Sequence, residues 1–304
     1  MDWIKGLQRA INYIETNILE NLDYEDISKY AYSSSFYFQR TFSLLTGITV
    51  GEYIRNRRLT LAGIELSMSK SKIIDIASKY GYDTPESFSR AFTRFHGITP
   101  SVARESGANL KSFSPLSIKV ILEGGDTMDY RIEKIEAFRV VAKVKSFSTD
   151  DTINKVKIPD FWSACFADGS IRNLQQFTKG NPSITGDGIL GICDSSLNNS
   201  EHFNYAIGVE TNENEVPNGY TIIDIPSATW AVFKCIGFMP KSIQDMWKRI
   251  YSEFFPQSDY EPTQGIDFEY YTQGDNSKDN YISEIWLPVN KKSIKYGYKT
   301  RAYI

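Results

Sequence analysis

The stretch FYFQRTFSLLTGIT at positions 36–49 returns fifty residues later as ESFSRAFTRFHGIT at positions 86–99. Laying residues 26–49 over 76–99 leaves ten of 24 positions identical: Ser28, Lys29, Tyr30, Tyr32, Phe38, Arg40, Phe42, Gly47, Ile48 and Thr49 with their partners. A fixed internal period marks one supersecondary unit used twice, which restricts the first third of the chain more than any compositional figure. Each copy opens with a short apolar helix, YEDISKYAY or IIDIASKYGY, and then a polar break, SSS or DTPE. Ser, Thr and Asp suit a helix N-cap, and Pro suits the first turn of the helix that follows. That second helix carries Phe38, Phe42 and Leu45, or Phe88, Phe92 and Phe95, on one inward face, and Gly47 or Gly97 ends it in a left-handed cap. Two helix-turn-helix units are predicted.

With Phe38 and Phe42 turned inward, Phe36, Tyr37, Gln39 and Arg40 fall on other faces of the first unit's second helix. The matching set in the second unit is Pro85, Glu86, Ser87, Ser89 and Arg90. The net charge of −3 conceals a local excess: ten Lys/Arg against five Asp/Glu from Lys29 to Arg94, and 22 against 26 from Phe95 onward. The basic segment is the one that holds the repeat, which favours a phosphate-facing role. Between the units, VGEYIRNRRLTLAGIELSMSKSK repeats apolar residues at helical spacing. A helix of about 17 residues there spans ~25 Å, close enough to the ~34 Å of a DNA turn for two units to enter successive major grooves. Arg55, Arg57 and Arg58 on this helix either touch phosphate or are simply solvated.

This part of the chain resembles the AraC/XylS family of bacterial transcription regulators. The resemblance rests on ISKYAYSSSFYFQRTFSLLTGITVGEYIRNRRLTLA and IIDIASKYGYDTPESFSRAFTRFHGITP, and covers roughly residues 1–105. It implies that each second helix enters a major groove. Phe36, Gln39 and Arg40 then read bases from the first unit, and Glu86, Ser87 and Arg90 from the second. Ser34, Ser35, Arg57, Thr84 and Arg94 complete the DNA-facing set. Glu86 is acidic where many relatives carry a neutral amide; it either reads a cytosine amino group or caps its helix.

Residues 107–127, rich in Gly, Ser and Pro, are expected as a linker between a reading domain at 1–106 and a second domain at 128–304. The stretch LSIKVILEGG within it is a candidate strand or helix. Beyond it the pattern alternates, and β-β-α-β-β order recurs from Tyr220 with a loose offset of 90 residues. The expected fold class is therefore multidomain: an all-α N-terminal domain, then an α+β domain of two pseudo-twofold halves. In NYISEIWLPV, strand alternation puts Ile282, Glu284 and Trp286 on one face. A carboxylate among apolar groups needs a salt partner, a hydrogen-bond network or a cationic ligand, unless the strand is an exposed edge. Glu269 in DFEYYTQ is placed similarly.

IPDFWSACF, YAIGVE, IIDIPSATWAVFKCIG, SIQDMWKRIYSEFFP, GIDFEYY and EIWLPVNKK, in that order, resemble the GyrI-like small-molecule binding domain over about 129–292. The resemblance implies that Glu284, on the last strand, faces an aromatic pocket for lipophilic, often cationic compounds. Trp162, Tyr205, Trp230 and Tyr271 are its expected companions, with Glu269 and Trp286 nearby. The family also includes hydrolases, which leaves three readings: a ligand-responsive regulator, a DNA reader fused to a hydrolase using Glu284, or one fused to a protein-contact module. The first is preferred, as a non-enzyme with double-stranded DNA, a small-molecule effector and RNA polymerase as partners, working as monomer or homodimer. Cys165, Cys193 and Cys235 have no metal-site or disulfide spacing, and no apolar run reaches ~18 residues. No metal, cofactor or membrane association is expected, and a reducing cytoplasm is.

Overall fold

The computed structural model describes residues 3–118, 127–149, 151–178, 184–194 and 202–292. Most of the LSIKVILEGG stretch therefore lies outside the described residues. Six helices build the N-terminal part: α1 (Trp3–Thr16), α2 (Tyr24–Ala31), α3 (Ser35–Thr46), α4 (Val50–Met68), α5 (Ile73–Lys79) and α6 (Pro85–His96). Helices α2–α3 and α5–α6 are the two repeated units. Ser34 Oγ accepts from Tyr37 N–H, and Thr84 Oγ1 from Ser87 N–H, so each polar break caps the helix it precedes. Gly47 (φ 77°) and Gly97 (φ 83°) end α3 and α6 in the left-handed conformation the repeat required.

Phe38 and Phe42 enter one core with Leu7, Ile11, Ile14 and Tyr53, while Phe88 and Phe92 enter another with Leu59, Leu66 and Ile76. Helix α4 lies between the two cores and serves both. Residues 107–118, expected as linker, are laid along this helical body. The N–H groups of Lys111, Phe113, Leu116 and Ile118 donate in turn to His96 Nδ1, Thr60 Oγ1, Tyr53 Oη and Gln8 Oε1, at 2.8–3.2 Å. Four backbone donors are thus satisfied by side chains of α6, α4 and α1, and Phe113, Leu116 and Ile118 pack on the first core.

The second part contains β1 (Tyr130–Ile135), β2 (Phe138–Ser148), α7 (Asp151–Ala167), α8 (Ser170–Leu174), β3 (Ile189–Asp194) and β4 (His202–Thr211). Then follow β5 (Thr221–Ile225), β6 (Ala228–Ile236), α9 (Lys241–Arg249), α10 (Phe255–Gln257), β7 (Tyr260–Pro262), β8 (Ile266–Tyr271) and β9 (Ile282–Lys291). All pairings are antiparallel, in the order β1-β6-β9-β8-β3-β4-β2-β5, with β7 added on β9. Exchanging β1–β4 for β5, β6, β8 and β9 returns the same order reversed, with β3 and β8 meeting at the centre.

Strand alternation gives this sheet two unlike faces. On one, Tyr205, Ile207, Phe233, Ile285 and Leu287 pack with Phe161 and Cys165 of α7 and with Ile243 and Trp247 of α9. On the other, Trp230, Phe268 and Trp286 form a separate cluster with Leu190, Ile192 and Val232. Phe268 stacks on Trp286 at 5.3 Å and tilts against Trp230 at 5.1 Å. No described helix is long and apolar enough to cross a membrane.

Candidate functional site

Strand β8 alternates Asp267, Glu269 and Tyr271 onto the helix-covered face and Phe268 and Tyr270 onto the other. Glu269 lies beneath two helices. Its Oε1 accepts from Trp247 Nε1 of α9 at 2.7 Å, and its Oε2 from the Tyr271 hydroxyl at 2.6 Å. Trp162 of α7 stands edge-on to Tyr271 at 5.2 Å and donates its Nε1–H to the Tyr205 hydroxyl at 2.9 Å. Gly191, which pairs with Glu269 across β3 and β8, makes room for this pair. A Cβ there would meet Tyr205 Oη at 2.4 Å and Trp162 Cζ2 at 3.3 Å.

Among the described residues no Lys or Arg pairs with Glu269, so its two partners are neutral donors. Burial, then the neighbouring Glu269 charge, holds the Tyr271 and Tyr205 phenols well above their ordinary values, and both remain protonated. Burial also pushes the Cys235 thiol up to about 12 and raises that of Cys165, so neither supplies a thiolate. The result is a carboxylate ringed by Trp162, Tyr205, Trp247 and Tyr271.

The structure corrects the expected arrangement around Glu284. Glu284 lies on the opposite sheet face from Trp162, Tyr205 and Tyr271, with Trp230 and Trp286. It has a salt partner: Arg131 Nη1 and Nη2 reach Glu284 Oε1 and Oε2 at 2.6 and 3.1 Å, with the guanidinium 5.2 Å over the Trp286 ring. Trp286 Nε1 donates to the same carboxylate at 2.9 Å. That aromatic carboxylate already holds a cation of the chain itself. The expected ligand set thus divides, with Glu269, Trp162, Tyr205 and Tyr271 on one face and Glu284, Trp230 and Trp286 on the other. Trp247 is not among the expected site residues, because its place on an amphipathic helix gives no sign that its indole N–H meets a strand residue.

The expected DNA-facing residues also divide. On α6, Thr84, Glu86, Arg90 and Arg94 are exposed and Ser87 is half-buried. On α3, Phe36 is 7% exposed, Gln39 8% and the Arg40 side chain 14%. Ser35 is buried as acceptor of a 3.2 Å bond from Gln39 Nε2. Phe36 and Arg40 face the second domain. Phe36 packs on Phe203 at 4.5 Å, and Arg40 Nη1 reaches both oxygens of buried Asp267 at 2.9 and 3.0 Å. The Arg40 guanidinium lies 4.0 Å over the Trp247 ring. Burial opposes the Arg40 charge, and Asp267 with Cys193, Tyr251 and Tyr37 together outweigh it, whereas burial lifts Asp267 against the pull of Arg40. The two partners lean opposite ways, and the twofold contact favours the charged pair.

Arg57, expected to be solvated or on phosphate, is neither. Its Nε and Nη2 bind Glu15 at 2.9 and 2.8 Å and its Nη1 donates to the Phe113 carbonyl at 2.6 Å. Its charge is spent holding α1, α4 and the 107–118 segment together. Arg58 likewise donates to the carbonyls of Ile18 and Glu20, just beyond the C-terminus of α1. Of the arginines on α4, Arg55 alone is exposed.

Comparison with known proteins agrees with both halves. A model described as the GyrI-like small molecule binding domain matches residues 128–290, and a helix-turn-helix domain model matches residues 27–106. The transposon Tn10 TetD protein of Escherichia coli is 42% identical over 100 residues, which cover 33% of this chain and 72% of that protein. The HTH-type transcriptional activator AarP of Providencia stuartii is 36% identical over 114 residues, 38% of this chain and 84% of that protein. The solved structure of SAV2435 bound to tetraphenylphosphonium covers 54% of this chain and 94% of its own, at 26% identity and a TM-score of 0.47. A capped, twice-written helix-turn-helix joined to this antiparallel sheet domain has one reading: the chain belongs to the AraC-type transcription regulators and to the family of GyrI-like small-molecule binding domains.

Proposed function

We propose that this regulator senses a lipophilic cation at Glu269 and reads double-stranded DNA with α6 and, once its face is free, α3. The observation that carries the first half is the Glu269 cage, a carboxylate held by two neutral donors among four aromatic side chains. A cation entering it exchanges neutral partners for a full countercharge and gains about 1–2 kcal/mol per good aromatic contact. The second half is supported by the exposed Arg90 and Arg94 on α6, within the basic repeat. RNA polymerase contact and action as a monomer or homodimer in the cytoplasm belong to the same reading. AarP, similar over 38% of this chain, is a transcriptional activator by name, which supports the regulator reading.

Tryptophan fluorescence tests the cage, with tetraphenylphosphonium and the anion tetraphenylborate as probes of matched shape and opposite charge. Glu269→Gln is expected to weaken the phosphonium at least about tenfold and leave the borate unimpaired, since one countercharge in a desolvated site contributes more than 1.4 kcal/mol. Loss of both probes alike, or of neither, would show Glu269 to be structural.

A further inference from the structure

We propose that the sensor domain holds the base-reading face of α3 as a tethered resident ligand, in competition with DNA, and that a cation entering the Glu269 cage releases it. The second clause rests on the reading of Glu269 given above; the first does not.

Arg40 is seated as a captured cation would be. Asp267 meets it with both oxygens, the Trp247 ring lies 4.0 Å beneath it, and the Phe36 ring centroid is 6.0 Å away. Asp267 and Glu269 project from the same face of β8, about 7 Å apart along the strand. Trp247 serves both carboxylates, its ring under Arg40 and its Nε1–H on Glu269. A cation that takes Glu269 removes the acceptor that fixes this indole, and the indole is the floor of the Arg40 seat. The two events are therefore mechanically linked through one side chain.

The competition follows from surface geometry. Phe36 and Arg40 cannot touch a base edge while they lie against Phe203, Asp267 and Trp247, and Gln39 beside them is buried at 8% exposure. The corresponding residues of α6 meet no such obstacle, since Glu86 and Arg90 are exposed. In the docked state the chain offers a duplex one reading helix; in the undocked state it offers two. A ligand that favours the undocked state must tighten DNA binding, and DNA must tighten the ligand by the same factor.

The test measures fluorescence anisotropy of a duplex selected from a random-sequence pool, with full-length wild type and Asp267→Asn, each with and without tetraphenylphosphonium. Without the cation, Asp267→Asn is expected to bind the duplex about tenfold more tightly, because the docked state loses its countercharge. With the cation, wild type is expected to tighten and the variant to change little. Binding by a folded Asp267→Asn protein no tighter than wild type would overturn the competition. Hydrogen exchange on wild type supplies a reading independent of any variant: amides of α9 and β8 lose protection when the duplex binds. Unchanged or increased protection there would overturn the competition as well. A tighter Asp267→Asn protein, together with a wild type that does not respond to tetraphenylphosphonium, supports the competition and removes the effector reading of Glu269.

Discussion

Helices α3 and α6 are two copies of one sequence pattern in opposite surroundings. Both are capped by a Ser or Thr hydroxyl, both turn a Phe pair into a core at 0–1% exposure, and both end on a left-handed Gly. Their outer faces differ. On α6 that face is exposed, whereas on α3 it is shut against the sheet domain by an aromatic contact, an ion pair and a cation over an indole. The two copies share the inner Phe pair because folding demands it, and they share the outer arginine too, as Arg40 and Arg90; what that outer face meets was left to a distant part of the chain. A repeated motif is thus a statement about cores, and equal motifs do not imply equal roles.

The sharpest way to break this comparison is through stability. Arg40→Ala strands Asp267 as a buried, unpaired carboxylate and is expected to cost about 3–5 kcal/mol, whereas Arg90→Ala stays within ~0.5 kcal/mol. Urea unfolding of both variants decides it, and equal losses would mean that the two arginines are equivalent after all. On DNA the order reverses. Arg90→Ala is expected to lower affinity for a selected duplex by about 1–3 kcal/mol at fixed salt. Binding indistinguishable from wild type would remove α6 as a reading helix.

The smallest effect concerns pH and divides the units at one position. The last residue of α6 is His96, and its counterpart on α3 is Thr46. His96 Nδ1 accepts from Lys111 N–H at 3.1 Å, so its Nε2 carries the proton toward the Leu59 carbonyl at 3.0 Å. Burial lowers the His96 pKa below the ordinary value. A depressed histidine adds stability above its unfolded pKa of about 6.5, and that stability falls away as pH drops toward the folded value. Stability against thermal unfolding is expected to fall as pH drops through this window, with His96→Gln flattening the slope. An unchanged slope would place the titration elsewhere.

What the sequence could reveal follows the range of the interactions. Caps, glycine stops and inward Phe pairs are local, so the repeat displayed them directly. Alternation correctly put Glu284 with Trp286 and Ile282, yet it could not say which sheet face the helices cover. Glu269 consequently took the place expected of Glu284. Arg40 faces outward from its helix, as the repeat implies; its partner Asp267 lies 227 residues away, beyond any periodic signal. Arg57 shows the same limit at shorter range, because a helical arginine looks solvated until Glu15, 42 residues away in the chain, is brought beside it.

The strapping of residues 107–118 onto the helical body shortens the leash between reader and sensor. Ile118 is tied to Gln8, and Met128 already packs on the sheet domain's core. Nine residues lie between those two anchors, ten steps of chain with a reach of at most ~36 Å when fully drawn out. A released α3 therefore stays at a local concentration in the millimolar range. Dilution cannot weaken its return, so the set point of the switch is indifferent to how many copies of the protein a cell holds. On the proposed reading, the abundance of the cation and of DNA sites moves it.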